Sequence, residues 1–567
     1  MKLKLWVILC WLGVCGNVYA QSSEGYVFPL KIPISLSANF GELRPDHFHS
    51  GIDFRTNGQE GIPVYAVNDG YISRIAVLPR GFGNALYILH SDGNTSVYAH
   101  LQRFVPNIAQ WVKQRQYKNQ AFVFDAEIKP DVFRVQRGEL IGYSGNSGGS
   151  MGAHLHFELR SLWQTPFNPI SRRIYPIIDT IEPHAQRLYV YQMQSAEDVQ
   201  LPILQRSLAL KKQGKIFRLA GSDTLEIGHN TFFGLDMLDS KNGSQSTFGI
   251  YSVQIKYNDS LCYAWTIDHF TFDETRYANA VIDYSEYVKT GNYVYRLYKS
   301  RGNYLSIFNK NAGSGLLQLP LGGKSKVDIF FADDSGNMSW ITFWVKNTGR
   351  WAQKNTFSYA QILHCNVENT YLDNDLKLWM PEKALYESCA LSVQKMATPQ
   401  DIAPQYIITC QPSSPPHKPI SVSLKANVPE RLRDKVALVN TNERGKRQGR
   451  KAHRDGKYYT STARYWGTMD LVIDTTPPII RPLRFTSEAT QKYRSILFRV
   501  VEETTDLKTY AGYIDNQWAL FEYDEKRDRI IYNIDYQRVT KGTWHTIRFV
   551  AEDQSGNVAE FNGKLFF

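Results

Sequence analysis

Short apolar runs separated by polar turns set the pattern of the first third of the chain. Residues 62–67 are one such run, and Asn68-Asp69-Gly70 turns it into a second over residues 71–78. Residues 85–90 run into Ser91-Asp92-Gly93-Asn94, a strong hairpin signal, and residues 95–100 return. Residues 139–144, a Gly/Ser loop and residues 154–160 complete the series. This pattern predicts an antiparallel all-β unit over residues 21–170. In its last strand, a period of two places His154 and His156 on one face and turns Leu155 and Phe157 to the core. The texture changes between His100 and Arg137. Residues 108–121 hold good helix formers and two aromatics, which predicts a helical or irregular insertion at about 102–137 beside the sheet.

Beyond residue 175 there is a faint internal repeat. Ile178-Asp179-Thr180-Ile181-Glu182-Pro183 matches Ile473-Asp474-Thr475-Thr476-Pro477-Pro478, and Asp333-Asp334-Ser335-Gly336-Asn337 matches Asp553-Gln554-Ser555-Gly556-Asn557. Each Asp-x-Ser-Gly-Asn lies between apolar runs and reads as a hairpin turn. Each unit therefore opens on a Pro-bearing strand and closes on a hairpin, as expected of immunoglobulin-like β-sandwich modules. The expected modules span 175–350, 351–473 and 474–567, so the fold class is mainly β throughout. Residues 351–473 lack the opening signature but end in the strand-like Met469-Asp470-Leu471-Val472-Ile473.

Composition refines this picture. The chain has 567 residues with 34 Tyr and 29 Phe, which is globular and not disordered. Residues 1–20 read as a secretory signal peptide: Lys2 and Lys4, an apolar core, then Val18-Tyr19-Ala20 before Gln21. No later run reaches the ~20 apolar residues of a membrane span, so no transmembrane helix is expected in the mature chain. The formal charge is +11. Such a balance suits anionic envelope polymers or simple solubility, and export excludes nucleic acid as a partner. The basic run at 442–454 is expected to be a solvated hairpin loop. Cys365, Cys389 and Cys410 fall in one segment, where export would permit at least one disulfide.

Candidate chemistry concentrates in two places. Two imidazoles aimed at one point, as at His154 and His156, suit a metal or a metal ligand with an acid/base neighbour. An ordinary polar strand face reads the same way. Upstream, residues 40–54 are dense in His and Asp, and His49 and Asp53 lie four apart across Gly51. Two His nitrogens and one carboxylate would make a zinc set with room for water or substrate. A polar loop with an Asx turn is the competing reading.

Taken together, His49-x-x-x-Asp53, Tyr98-Ala99-His100-Leu101 and His154-x-His156-Phe157-Glu158 resemble the lysostaphin-type (LytM-like) zinc metalloendopeptidases. These are peptidoglycan hydrolases with the duplicated hybrid motif fold. The resemblance covers about residues 35–165. It implies one zinc ion held by His49, Asp53 and His156, with His100 and His154 as catalytic residues beside a zinc-bound water. It also implies an exported endopeptidase of the periplasm or cell surface that acts on peptidoglycan peptides. The downstream modules would position it or bind envelope protein partners. Two alternatives stand beside it: a catalytically silent wall-binding or hydrolase-activating protein, and a zinc endopeptidase that acts on proteins. The insertion departs from the short link usual in the family, and it is expected to wall one end of the groove. His47 is expected to be a groove or surface residue and His90 to be solvated. Arg44 and Asn84 are open between substrate contact and a structural role. Glu158 either orients an imidazole or is exposed.

Overall fold

The computed structural model describes residues 25–221, 223–349, 358–396, 402–485, 489–490 and 494–566. The expected signal peptide lies outside the described residues.

The N-terminal unit is built on a sheet that runs Leu36–Ala38, Ile52–Arg55, His154–Arg160, Thr95–Ala99, Asn84–His90, Gly70–Val77, Phe124–Glu127. Every neighbouring pair is antiparallel. Its register follows from the alternation of side chains. Leu155 lies opposite Phe54 and Phe157 opposite Ile52, all buried, which fixes His156 opposite Asp53 on the other face. A small second sheet joins Pro63–Tyr65, Leu140–Tyr143 and Arg103–Phe104.

The insertion holds more regular structure than its sequence announces. Its helix spans Pro106–Asn119, with proline in the first turn, and buries Ile108, Val112 and Gln116 at a spacing of four. Gln120 ends it in the left-handed region at φ 49°. The chain then adds Phe124–Glu127 and Arg134–Val135 to the edge of Gly70–Val77. Such short, mostly polar strands carry no periodic signal of their own.

The next unit is a larger mixed assembly in which the long strand Val199–Gln213 pairs with His184–Ala196 through its first part and with Ile216–Leu219 through its last. Its hydrophobic core is continuous with that of the N-terminal unit. At the seam, Phe270 packs against Phe40 and Phe48, with ring centroids 5.1 and 5.4 Å apart. Thr275 Oγ1 accepts a bond from the Phe48 amide at 3.0 Å. The loop that leads to His49 therefore rests on the second unit. Phe270→Ala is expected to destabilise the protein by roughly 3–5 kcal/mol, because a fully buried ring leaves a cavity. Thermal or urea unfolding of the full chain measures this.

Residues 360–473 form two facing sheets of six and five strands around their own core. Residues 479–566 form two of four and five strands around another. The basic run is a hairpin: Val436–Thr441 pairs with Arg447–Lys451 across a turn. Arg444 bonds the Tyr287 hydroxyl at 2.8 Å, so that residue is anchored and not merely solvated. The expected disulfide is not formed, and Cys262, Cys365, Cys389 and Cys410 are all free thiols. Cys389 and Cys410 touch, and burial followed by this contact holds the Cys410 thiol well above its usual pKa.

The last unit folds back onto the insertion. Trp518 meets Tyr117 edge-on at 5.2 Å, Arg538 lies over the Tyr117 ring, and Lys113 pairs with Asp535 at 2.8 Å.

Candidate metal centre

Asp53 and His156 face each other across two central strands, and His49 reaches in from the turn before Asp53. Three atoms converge. His49 Nε2 lies 3.1 Å from Asp53 Oδ1 and 3.0 Å from His156 Nδ1, and His156 Nδ1 lies 3.0 Å from Asp53 Oδ1. All three residues are buried. The remaining ring nitrogens are committed elsewhere. His49 Nδ1 donates to the Asn39 carbonyl at 2.8 Å, and His156 Nε2 donates to Glu158 Oε1 at 3.0 Å. Each imidazole therefore turns a lone pair to the same point as the carboxylate, an arrangement suited to one cation.

Burial opposes a charge on His156, but Asp53 and Glu158 outweigh it and lift this imidazole to about 9. Burial pushes the Asp53 carboxyl up, yet the His49 and His156 rings pull it well below the carboxylate range. A bound metal would supply the positive charge for which this pocket is arranged, in competition with protons.

Two further histidines stand beside the cluster. His100 and His154 have ring centroids 5.0 Å apart, and His100 lies 5.7 Å from His156. His100 adopts φ 58°, unusual for a residue with a Cβ. Its amide donates to the Phe82 carbonyl and its Nδ1 to the Ser147 carbonyl, both at 2.9 Å. His154 Nδ1 donates to Gly152 O at 2.9 Å, and its Nε2 lies 3.5 Å from Asp53 Oδ1. Both rings thus keep Nε2 free of a backbone partner. Burial, followed by the neighbouring imidazoles, depresses His100 to about 3 and keeps it neutral.

The other residues singled out in the sequence find definite places. Glu158 is buried, bonds Ser50 and His156, and is bracketed by Arg160 at 2.5 Å. It orients His156, which decides between its two expected roles. Glu158→Gln is expected to weaken metal affinity by roughly 10–100-fold, because the neutral amide oxygen is a weaker acceptor than the carboxylate that fixes the ring and raises its basicity. A competitive zinc titration against a fluorescent chelator measures this. Arg44 lies 3.5 Å from Asp53 Oδ2 and 3.3 Å from Glu42. Asn84 donates to the Leu101 carbonyl at 3.1 Å, which supports the His100 turn. His47 is exposed and outside the cluster. His90 departs from expectation: it is buried, 2.9 Å from the Asp69 carbonyl and 2.8 Å from Ser96 Oγ, because Gly70 pairs with it inside the sheet. Asn39 bonds Gly249 of the second unit through both side-chain atoms while its carbonyl holds His49.

The last unit also takes part here, which the sequence does not announce. Lys526 bonds Asn146 and the Ser150 carbonyl, the latter at 2.9 Å, and Arg80 pairs with Glu525. These contacts hold the 145–150 loop, on which His100 leans through Ser147. A lone Lys526 nearly four hundred residues away carries no signal of this.

The profile of peptidase family M23 matches residues 47–117, a span that contains His49, Asp53 and His100. The N-terminal unit is a peptidase family M23 domain. A Zu5-like domain profile matches residues 360–474. The M23 region is 36% identical over 161 residues to the DD-carboxypeptidase/endopeptidase Mpg of Neisseria meningitidis, covering 28% of this chain and 31% of that protein. It is 31% identical over 111 residues to the glycyl-glycine endopeptidase ALE-1 of Staphylococcus capitis, covering 19% of this chain and 24% of that one. The chain thus spans less than a third of the length of these curated relatives. Among solved structures, the catalytic domain of lysostaphin from Staphylococcus simulans aligns at 24% identity and a TM-score of 0.18, covering 24% of this chain and 90% of that one.

Proposed function

We propose that this protein is an exported, zinc-dependent endopeptidase that hydrolyses peptide bonds in peptidoglycan cross-links or stems. The observation that carries the reading is the convergence of His49 Nε2, His156 Nδ1 and Asp53 Oδ1 within 3.1 Å, beside two imidazoles with free Nε2 atoms. Two nitrogens and one carboxylate oxygen fit a catalytic zinc, which keeps a position open. When bound, zinc polarises a carbonyl and makes water a nucleophile near neutral pH.

The chain's own residues would divide the remaining work. Asn39 and Glu158 hold the two ligand rings in the tautomer that presents a lone pair. Asp53 balances the charge. His100 and His154 would take the proton of the attacking water, return it to the leaving amine, and donate to the oxygen that becomes negative. The names of Mpg and ALE-1, both endopeptidases, support the reaction class. The complete set of five residues argues against a catalytically silent binder.

The division of the chain is part of the same reading: a peptidase unit to about 170, then modules over 175–350, 351–473 and 474–567 that position it in the periplasm or at the cell surface. Digestion of purified sacculi with muropeptide analysis tests the proposal. Split cross-links or shortened stems are expected. Intact sacculi alongside a cleaved protein substrate would overturn the peptidoglycan assignment.

A further inference from the structure

The two Asp-x-Ser-Gly-Asn hairpins do more than turn the chain. In both, the asparagine reaches back to the opening strand. Asn337 Nδ2 donates to the Asp179 carbonyl at 3.1 Å, and Asn557 Nδ2 donates to the Asp474 carbonyl at 3.0 Å. Strand register aligns the two units residue by residue. Asp179 and Asp474 each stand five residues before their first strand, which starts at His184 and Ile479. His184 pairs with Leu238 and Ile479 with Val501, so Asp239 corresponds to Glu502 and Lys241 to Thr504. Asp333 corresponds to Asp553 and Asp334 to Gln554.

In the earlier unit an ammonium fills the cluster. Lys241 Nζ lies 2.5 Å from Asp334 Oδ1, 3.5 Å from Asp179 Oδ2 and 3.6 Å from Asp239 Oδ2, and the lysine is buried. In the last unit that ammonium is replaced by Thr504 and its closest counter-charge by Gln554, yet three carboxylates remain. Asp474, Glu502 and Asp553 each offer an oxygen within 4.8 Å of the others. Among the described residues, none of the three forms an ion pair. Asp474 is 2% exposed, and its Oδ1 has no hydrogen-bond partner; the hydroxyl of Ser555, 3% exposed in the adjoining turn, has none either. Two buried carboxylates and a half-buried third thus stand together without an ion pair. Among the described residues they are hydrogen-bonded only by the Thr504 and Thr505 amides at Glu502, the Asn557 amide and side chain at Asp553 and the Thr505 hydroxyl at Asp474, and such clustering of like charge is costly.

We propose that Asp474, Glu502 and Asp553 form a Ca²⁺ site in the last unit, at the position that Lys241 occupies in the earlier one. An all-oxygen donor set selects a hard cation, and oxygens 2.3–2.6 Å from Ca²⁺ stand up to about 5 Å apart. Glu502 is half-buried, which leaves a path for the ion. The site lies at a junction. Asp474 follows the last strand of the preceding unit, whose Lys435 donates to Ser555 O at 2.9 Å and to Asn557 Oδ1 at 2.7 Å. Calcium there would stiffen the hinge of the unit that clamps the peptidase loop at Asn146 and Ser150.

The test uses the full chain in calcium-free buffer, titrated with CaCl₂ by calorimetry and followed by thermal unfolding. One site is expected, with Kd roughly 10⁻⁵–10⁻³ M, and a higher unfolding temperature at about 10 mM Ca²⁺. Thr504→Lys restores the ammonium of the earlier unit; it is expected to stay folded and to weaken Ca²⁺ binding by roughly ten-fold or more. Should that variant unfold, Glu502→Gln, at the half-exposed ligand, is read in its place with the same expectation. Asp239→Asn is expected to leave the affinity unchanged. The proposal is overturned by an absence of binding at about 10 mM Ca²⁺. It is also overturned if the substituted last unit keeps parental affinity, or if Asp239→Asn abolishes binding.

Discussion

Asp53→Asn is expected to purify with little zinc and to lose sacculus hydrolysis by roughly a thousand-fold or more, while its unfolding temperature changes little. The substitution keeps the shape of the side chain and removes its charge. Asp53 Oδ1 lies within 3.1 Å of both ligand nitrogens, so its charge is what makes the pocket prefer a dication to two neutral rings. A buried cation that loses its only direct anionic ligand is left uncompensated by several kcal/mol. Glu158 cannot replace it, since Oε1 is taken by His156 Nε2 and Ser50 and Oε2 by Arg160. The variant also frees Arg44, 3.5 Å from Asp53 Oδ2, which repels a cation further. Elemental analysis of the purified variant, with muropeptide release from sacculi, checks both halves. Full zinc content with lost activity would move Asp53 out of the ligand set.

Legibility in the sequence followed the range of the interactions involved. His154 and His156 could be assigned to one strand face because strand periodicity is local, and the strand at His154–Arg160 has the expected bounds. The pairing of His156 with Asp53 needed the motif order as a whole, since no local rule sets two strands a hundred residues apart in register. His90 reads as solvated from the sequence because a strand end beside a turn is usually wet, whereas the structure buries it. The Asp69 carbonyl and Ser96 that satisfy it are brought there by the sheet. The repeat was visible as two turns, but the carboxylate clusters were not. Asp239 and Glu502 lie outside the repeated motifs and join them only through strand pairing. The shared core at Phe270 and the clamp at Lys526 are contacts between units, and no pattern within either segment announces them.

His100→Ala and His154→Ala are each expected to keep bound zinc and to lose roughly 10²–10⁴-fold in turnover, which separates them from the ligand variants. Neither ring contributes to the three converging atoms, and each has its Nδ1 fixed by a carbonyl, Ser147 for His100 and Gly152 for His154. Truncation therefore removes a proton carrier and an oxyanion donor without opening the metal cluster. The two variants are expected to differ in kind. His154 lies 3.5 Å from Asp53 and so touches the electrostatics of the metal pocket, whereas His100 is held by the loop that Lys526 clamps. His154→Ala should shift zinc affinity slightly, and His100→Ala should leave it unchanged. If both histidines serve one proton path, the double variant will cost little more than either single one. Losses that instead multiply would assign one ring to the water and the other, independently, to the developing negative charge. Steady-state cleavage of a soluble cross-linked muropeptide by the two single variants and the double variant distinguishes these outcomes, and parental turnover in either single variant would remove that histidine from catalysis.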